Sequence, residues 1–398
     1  MPDRTTSISL IRVLHLNSML KGGGTDDQCV KLVAALAQLG QPVGICGPDG
    51  RDYSRVIRAL GVPFYPTPPE GLAKWRFILS AVQSIRREGA QIVHGHHGRD
   101  IWPTVLAARL SGVRPKIVLT RHMAKSPASW VSQRHLLGQC DALFAVSEFV
   151  AKVLREGHYE PESPEPERHA RMPIVGDFSK IEVIYGGIDT ERFRPLDATA
   201  QRAAWGLAPE HFAFAVMGAY DHPRGKGQRE FLQAAAKIRA EAPKARFLIV
   251  GRGSLAETLR GDIARLGLAD VASLPPYCHD MPAAMNAIDC LVHPAIGTEA
   301  FGAVVLEAMA CGKPVIASAL DGIPEAFAAG GFGQLVKPES VDELAAAMRA
   351  WAGRPALSPA ESAALHRRVA EQFSVRAYAE RVLAGYRRLL VLGAAFAV

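Results

Sequence analysis

Two glutamates are the strongest chemical signal in this chain. Glu299 and Glu307 stand eight positions apart within CLVHPAIGTEAFGAVVLEAMACGKPVIAS, residues 290 to 318. The stretch reads as a strand, a loop holding Glu299, a helix carrying Glu307, a turn and another strand. Glu299 is expected just before the helix and Glu307 about two turns inside it, so both can face one ligand lying across the helix N-terminus. Paired carboxylates suit a polyhydroxy ligand, because each accepts two hydroxyl hydrogen bonds at once. Their flanks, Phe301 to Leu306 and Ala308 to Cys311, carry no charge, which separates these acids from ordinary surface glutamates.

Histidines and glycines form the next group. His94, His96 and His97 end a strand in VHGHHGRD, and His122 ends the following one in VLTRH. An H-x-H pair can hold a metal, but no H-E-x-x-H or acid-rich partner motif accompanies it, and no metal site is expected. At the carboxyl ends of parallel strands such histidines line a ligand crevice, with His94 and His97 serving mainly local hydrogen bonds. Gly22, Gly23 and Gly24 follow the first strand and precede a helix read as Gln28 to Leu39. Bare backbone at a helix start favours an anionic group; a plain tight turn is the other reading, and Asp26 and Asp27 oppose a phosphate there. Gly251 and Gly253 with Ala256 fit the dinucleotide fingerprint G-x-G-x-x-A after a strand. They belong to the second unit of their domain, and Asp270 is the only acid near the required offset of about 20 residues, so nicotinamide chemistry is not expected.

These residues need a scaffold of alternating strands and helices. Short apolar runs followed by turns and helix-period segments recur at Ile11–Leu16, Val43–Cys46, Ile92–Val93, Ile117–Leu119, Ala142–Val146 and Ile181–Ile184. A second series runs through Phe212–Met217, Phe247–Val250, Ala272–Leu274, Cys290–His293, Pro314–Ala317 and Gly333–Val336. The fold class is therefore α/β, as two tandem Rossmann-like doubly wound domains. The N-terminal domain is read as 1–190, with a proline-rich insertion at 158–178. The C-terminal domain is read as 191–374, and 375–398 as a helix packing back on the N-terminal domain. With 398 residues, 48% hydrophobic and 21% charged, the chain is neither disordered nor a disulfide scaffold. Its six cysteines form no C-x-x-C pair and read as reduced core residues. No secretion signal or membrane span is expected.

The pattern resembles glycosyltransferase family 4, with its two-domain GT-B fold, over nearly the whole chain. The resemblance rests on the Glu-x7-Glu motif at Glu299 and Glu307. It is supported by Gly23 and Gly24 with Asp26 in the acidic place, by His94-x-His96 and by Thr120-x-His122. GIDTERFRP from Gly187, KG at Lys226 and Gly227, and GIPE at Gly322 to Glu325 add to it. The resemblance implies a retaining transfer of a hexose-type sugar from a nucleotide-diphosphate sugar, without metal or other cofactor, in a cleft that the domains face. Glu299 would contact hydroxyls of the transferred sugar, and Glu307 the ribose of the nucleotide. Lys226 would neutralise the diphosphate, helped by the amides around Gly23, Gly24, Phe301, Gly302 and Ala303, with Gly251 and Arg252 also on the donor side. His122 and His96 would sit near the reacting centre. Ala219 departs from the pattern, standing where the family usually has an arginine, and Arg224 is the expected substitute. Arg252 stands where an acid is common, which bears on donor preference.

Charge addresses the acceptor. The chain carries a net +7, which invites nucleic acid, an anionic membrane or a phosphorylated small molecule. Residues 51 to 135 hold fourteen Lys and Arg against four Asp and Glu, a balance of +10, so the excess belongs to the acceptor-side domain. No module or aromatic-interleaved basic stripe points to nucleic acid. Within the basic region, LAKWRFILSAVQSIRR mixes Trp75, Phe77, Ile78 and Leu79 with four cations, as interfacial helices do. The expected acceptor is a glycan or glycolipid of the bacterial lipopolysaccharide or cell-envelope type, on a cytoplasmic enzyme that sits peripherally on the inner face of the cytoplasmic membrane. A soluble or phosphorylated acceptor is the alternative, and a non-catalytic nucleotide-sugar-binding protein a third reading.

Overall fold

The computed structural model describes residues 10–67, 74–127, 129–157, 172–221 and 226–395. The chain divides into two compact units, Met1–Gly187 with Val375–Val398, and Ile188–Ser374. Among the described residues each unit is built on one all-parallel sheet.

In the first unit β1 (Val13–Leu16), β2 (Val43–Pro48), β3 (Phe64–Thr67), β4 (Ile92–Gly95), β5 (Lys116–Arg121), β6 (Ala142–Ala145) and β7 (Ile181–Val183) lie in the order 3-2-1-4-5-6-7. Strands β1, β4 and β6 are buried along their whole length, which requires helices on both faces. One face is covered by the helices Gly24–Gln38 and Val375–Ala395, where Leu32, Val33 and Leu36 meet Tyr378, Val382 and Tyr386 over Phe144. The other receives the helix Lys74–Glu88 through Phe77, Ile78, Ala81, Val82 and Ile85. Strand β3 escapes the hydrophobic pattern because its sequence, FYPT, is half-exposed and contains Pro66. An edge strand tolerates a proline that a central strand would not.

The second unit repeats the plan. Strands β8 (Phe212–Met217), β9 (Ala245–Val250), β10 (Ala272–Ser273), β11 (Cys290–His293), β12 (Val315–Ser318) and β13 (Gly333–Val336) lie in the order 10-9-8-11-12-13. Phe214, Phe231, Phe247 and Met348 anchor its core.

Both orders reverse direction once, between β1 and β4 and between β8 and β11. In open parallel sheets a ligand crevice forms outside the carboxyl ends of the strands at such a reversal. The segments leaving those strand ends are Asn17–Gly24 and His96–Asp100 in the first unit, and Gly218–Gly227 and Pro294–Gly302 in the second. Gly23, Gly24, His96, Lys226, Glu299 and Phe301 to Ala303 lie on or beside them, whereas His122 follows β5, Gly251 and Arg252 follow β9, and Glu307 lies inside the helix after β11. Two expectations fall outside the described residues: Arg224, and the proline-rich insertion over 158–171.

Candidate functional site

In the second unit, Glu299 lies on the loop after β11, and its carboxylate meets the Lys226 ammonium at 3.0 Å. Its backbone amide donates to Asp321 Oδ2 at 3.0 Å, and its carbonyl accepts from the Gly322 amide at 3.2 Å. The GIPE segment thus clamps the loop from below, while Gly302 donates to the carboxylate from the start of the following helix. Burial alone would raise the Glu299 pKa; Lys226, His293 and the Gly302 amide outweigh it and hold the carboxyl below its usual value. The group is thereby kept ionised, as an acceptor of hydroxyl hydrogen bonds must be.

The helix bearing Glu307 runs Ala303–Ala310 with Gly302 as its N-cap. Glu307 is therefore its fifth residue, a little over one turn in, and not two turns as the apolar pattern suggested. It is half-buried while Val305, Leu306, Ala308 and Met309 are buried. The Phe301 ring is buried and packs on Phe373 at 5.8 Å, so its side chain belongs to the core.

Lys226 is placed by Gly227. That glycine has φ +84°, and a Cβ there would lie 1.8 Å from the Pro294 carbonyl oxygen. The chain can bring Lys226 against the loop after β11 only with glycine at the next position. Gly227→Ala is expected to destabilise the second unit by about 3 kcal/mol or more, a fall of roughly 6–12 °C in its melting temperature. Calorimetry checks this, and an unchanged melting temperature would contradict the packing argument.

Gly251 and Gly253 do not expose backbone to a ligand. A Cβ on Gly251 would lie 2.0 Å from the Gly218 carbonyl oxygen, and one on Gly253 would lie 2.4 Å from the Tyr220 backbone. The dinucleotide-like spacing thus serves close packing of the segment after β9 on the segment after β8, reinforced by the Tyr220 hydroxyl donating to Gly251 O at 3.0 Å. Arg252 points outward, its guanidinium stacked 5.0 Å from the Tyr277 ring.

In the first unit the helix after the glycines starts at Gly24 and ends at Gln38, four residues earlier than its apolar period implied. Gly22, Gly23 and Gly24 are exposed at its N-terminus. Asp26 is engaged by partners of its own. It is buried, accepts from Asn17 Nδ2 at 2.9 Å and from the Gly22 amide at 2.9 Å, and meets His97 Nε2 at 2.7 Å. It braces the glycine loop, and His97 and the hydrogen bonds hold its pKa down against burial. Asp27 is taken up by Lys31 at 2.7 Å.

The histidines form a stack. His15 pairs with His94 in the β1–β4 register. In H-x-H and T-x-H the strand period of two puts His94 with His96, and Thr120 with His122, on one face of the sheet. His94 bonds Tyr386 Oη and Thr120 Oγ1, each at 2.6 Å. His96 is buried, with His15 Nδ1 2.9 Å from its Nε2 and His122 Nε2 3.4 Å from its Nδ1. His96 therefore stands behind His122 rather than open to a ligand. His122 is half-buried at the outer end.

His15, Asn17, His293 and Asp321 were not singled out by motif reasoning as parts of a site, and His97 was read as serving a local hydrogen bond, which it makes with Asp26. His293, the last residue of β11, is buried, has no hydrogen-bond partner at either ring nitrogen among the described residues, and lies 3.8 Å from the Glu299 carboxylate. The strand-end rule that selected His96 would have found it. His15 and His96 also come together with Cys29, their donor atoms lying within 4.8 Å of one another. The two histidines hydrogen-bond each other, and burial pushes the Cys29 thiol far above the range in which a thiolate forms, so this donor set fits a proton-bearing network better than a metal.

Known proteins match this chain in family and in fold. Residues 22–164 match the family model described as Glycosyltransferase Family 4, and residues 197–362 the model described as Glycosyl transferases group 1. The chain is 30% identical over 356 residues to the D-inositol 3-phosphate glycosyltransferase of Mycobacterium marinum, covering 81% of this chain and 71% of that protein. For the enzyme of the same name from Mycobacterium leprae the identity is 29% over 357 residues, with 81% and 77% covered. Among solved structures, Anabaena HepE in complex with UDP and glucose superposes with a TM-score of 0.73 at 19% identity, over 94% of this chain and 99% of that one. A glycosyltransferase from Rickettsia africae gives 0.79 at 19% identity, over 96% and 99%.

Proposed function

The chain belongs to glycosyltransferase family 4 and has the GT-B fold, and from that premise we propose that it transfers a hexose-type sugar, with retention, from a nucleotide-diphosphate sugar to a hydroxyl of a phosphorylated acceptor. The observation that carries the donor half is the ionised Glu299 carboxylate held against Lys226 at 3.0 Å beside a helix N-terminus. A sugar's hydroxyls and the departing diphosphate are what such a carboxylate and such a cation recognise. Departure of a nucleoside diphosphate develops negative charge, and Lys226 with the amides at Gly302 and Ala303 can take the place of a divalent ion. On this reading the enzyme needs no metal, and EDTA leaves its rate unchanged. On this reading Glu307 is the ribose-binding carboxylate.

The acceptor assignment is supported by the similar D-inositol 3-phosphate glycosyltransferases, whose names specify inositol 3-phosphate, and by the balance of +10 within residues 51 to 135. The testing experiment is nucleotide release from UDP-, GDP- and ADP-sugars, with inositol phosphates or neutral polyols as acceptor. Release stimulated by the phosphorylated acceptors alone is expected; equal stimulation by the neutral ones would refute the acceptor reading. Lys226→Met should cut kcat/KM by about 10²-fold, the scale for losing one charged contact to a developing anion.

One observation favours a second reading, a membrane-bound glycolipid acceptor. Trp75 and Leu79 on the helix Lys74–Glu88, and Leu106 and Leu110 on the helix Ile101–Leu110 packed beside it, are exposed next to Arg76 and Arg109. Among the described residues no helix is long and apolar enough to cross a membrane. Sedimentation with phosphatidylserine vesicles at about 0.15 M salt separates the readings, since attachment by charge and a shallow apolar face survives that ionic strength only if both act.

A further inference from the structure

Three imidazoles lie in one hydrogen-bonded line that starts inside the first unit and ends at its surface. His15 Nδ1 is 2.9 Å from His96 Nε2, and His96 Nδ1 is 3.4 Å from His122 Nε2. The rings stack, with centroids 5.2 Å apart for His15 and His96 and 5.7 Å apart for His96 and His122. At the inner end, His15 Nε2 is buried without a partner. At the outer end, His122 Nδ1 bonds to nothing among the described residues and is not among the buried unpartnered atoms. It is open to a ligand. Burial keeps all three rings neutral, so each carries one N–H.

A line of neutral imidazoles has two self-consistent proton arrangements. With every proton on Nε2, His122 donates to His96 and His96 to His15, and the His15 Nε2–H is left buried with no acceptor. With every proton on Nδ1, His15 donates to His96 and His96 to His122, and the inner end is only a bare lone pair. An orphaned buried N–H is the rarer and costlier defect. The second arrangement therefore prevails, and its outer end is a His122 Nδ1–H.

We propose that His15 is a positioning residue which, acting through His96, fixes the tautomer of His122 so that this ring presents an N–H donor to an oxygen of the substrate. His122 then orients a hydroxyl or phosphate oxygen and is not a general base. The identity of that oxygen rests on the glycosyl-transfer reading, whereas the tautomer does not.

The test is long-range 1H–15N correlation of the protein labelled at histidine nitrogens, with the His122 signals assigned by their loss in His122→Asn. The expected spectrum shows a protonated Nδ1 and a bare Nε2 for His122, and the reverse pattern overturns the proposal. His15→Gln sets a side chain that can accept as well as donate against His96 Nε2, so the bias is removed and His122 should move to a mixture or to the Nε2–H form; an unchanged His122 tautomer in that folded variant also overturns it. Should His15→Gln fail to fold, the unsubstituted protein's spectrum still decides the matter. In the transfer assay His15→Gln should lower kcat/KM about tenfold, the cost of one misdirected hydrogen bond. Intact activity with a shifted tautomer would refute the role in orientation while leaving the proton arrangement standing. Absence of transfer by the unsubstituted protein would refute the functional reading alone.

Discussion

Glu299→Gln will lower kcat/KM for sugar transfer by about 10²–10⁴-fold, the loss expected when two charge-assisted hydrogen bonds to a ligand are weakened at once. The substitution is nearly isosteric, so the backbone contacts of residue 299 to Asp321 and Gly322 remain. The melting temperature of the second unit should hardly move, because the ion pair with Lys226 is partly exposed, at 44% for the lysine and 19% for the glutamate. A glutamine amide can still donate and accept, but it cannot neutralise Lys226 or accept two hydroxyl hydrogens at each oxygen. Lys226 then remains free for the diphosphate, so the nucleotide alone should bind the variant as well as it binds the parent. Calorimetric titration with nucleoside diphosphate beside a transfer assay checks both halves. A variant that keeps parental transfer would remove Glu299 from the mechanism, and one that loses nucleotide binding would show that its part is structural.

The second large effect is acid sensitivity of the first unit. His15 is pushed down to about 3 by burial, and His94 and His96 lie well below the usual imidazole value for the same reason. Unfolded histidines take up protons near pH 6.5. The stability these residues contribute is therefore complete above about pH 6.5 and is lost as the pH falls below it, because the unfolded chain binds protons that the folded rings refuse. Each contributes a slope of about 1.4 kcal/mol per pH unit, approaching about 4 kcal/mol for the three. Asp26, with its pKa depressed, adds to the loss only at still lower pH, and buried Asp100, with its pKa raised, works in the opposite direction. Urea unfolding followed between pH 7.5 and 5 should show the first unit's midpoint falling steeply, and His15→Leu should remove about one histidine's share of that slope. A midpoint that stays level across this range would mean that the rings titrate in the folded state.

Much of the fold was legible in the sequence because parallel strands buried on both faces are written as short apolar runs, and all but one of the strands announced themselves that way. Phe64–Thr67 did not, since an edge strand needs neither full burial nor freedom from proline. Helix starts were misplaced for a related reason: apolar period reports the buried face, whereas the first turn is set by caps and backbone conformation, as at Gly23 and Gly302.

Of the site, sequence alone determined the chemistry-bearing types and their strand ends: Glu299 and Glu307, Lys226, the glycines at 22 to 24, and the histidines of H-x-H and T-x-H. Local spacing is enough for that, because a strand's period of two and a helix's first turn are short-range geometry. Tertiary structure decided which residues face one another. Asp26 reads only as a charge beside the glycines until His97, distant in sequence, is seen to engage it. The glycines at 251 and 253 read as a dinucleotide loop until the Gly218–Tyr220 backbone is found filling the space. His15 carries no motif at all, and becomes the inner end of a hydrogen-bonded line only because β1 lies beside β4. Pairing across a sheet joins positions about eighty residues apart, and no local pattern encodes that partnership, since the free energy that selects it comes from burying the whole sheet.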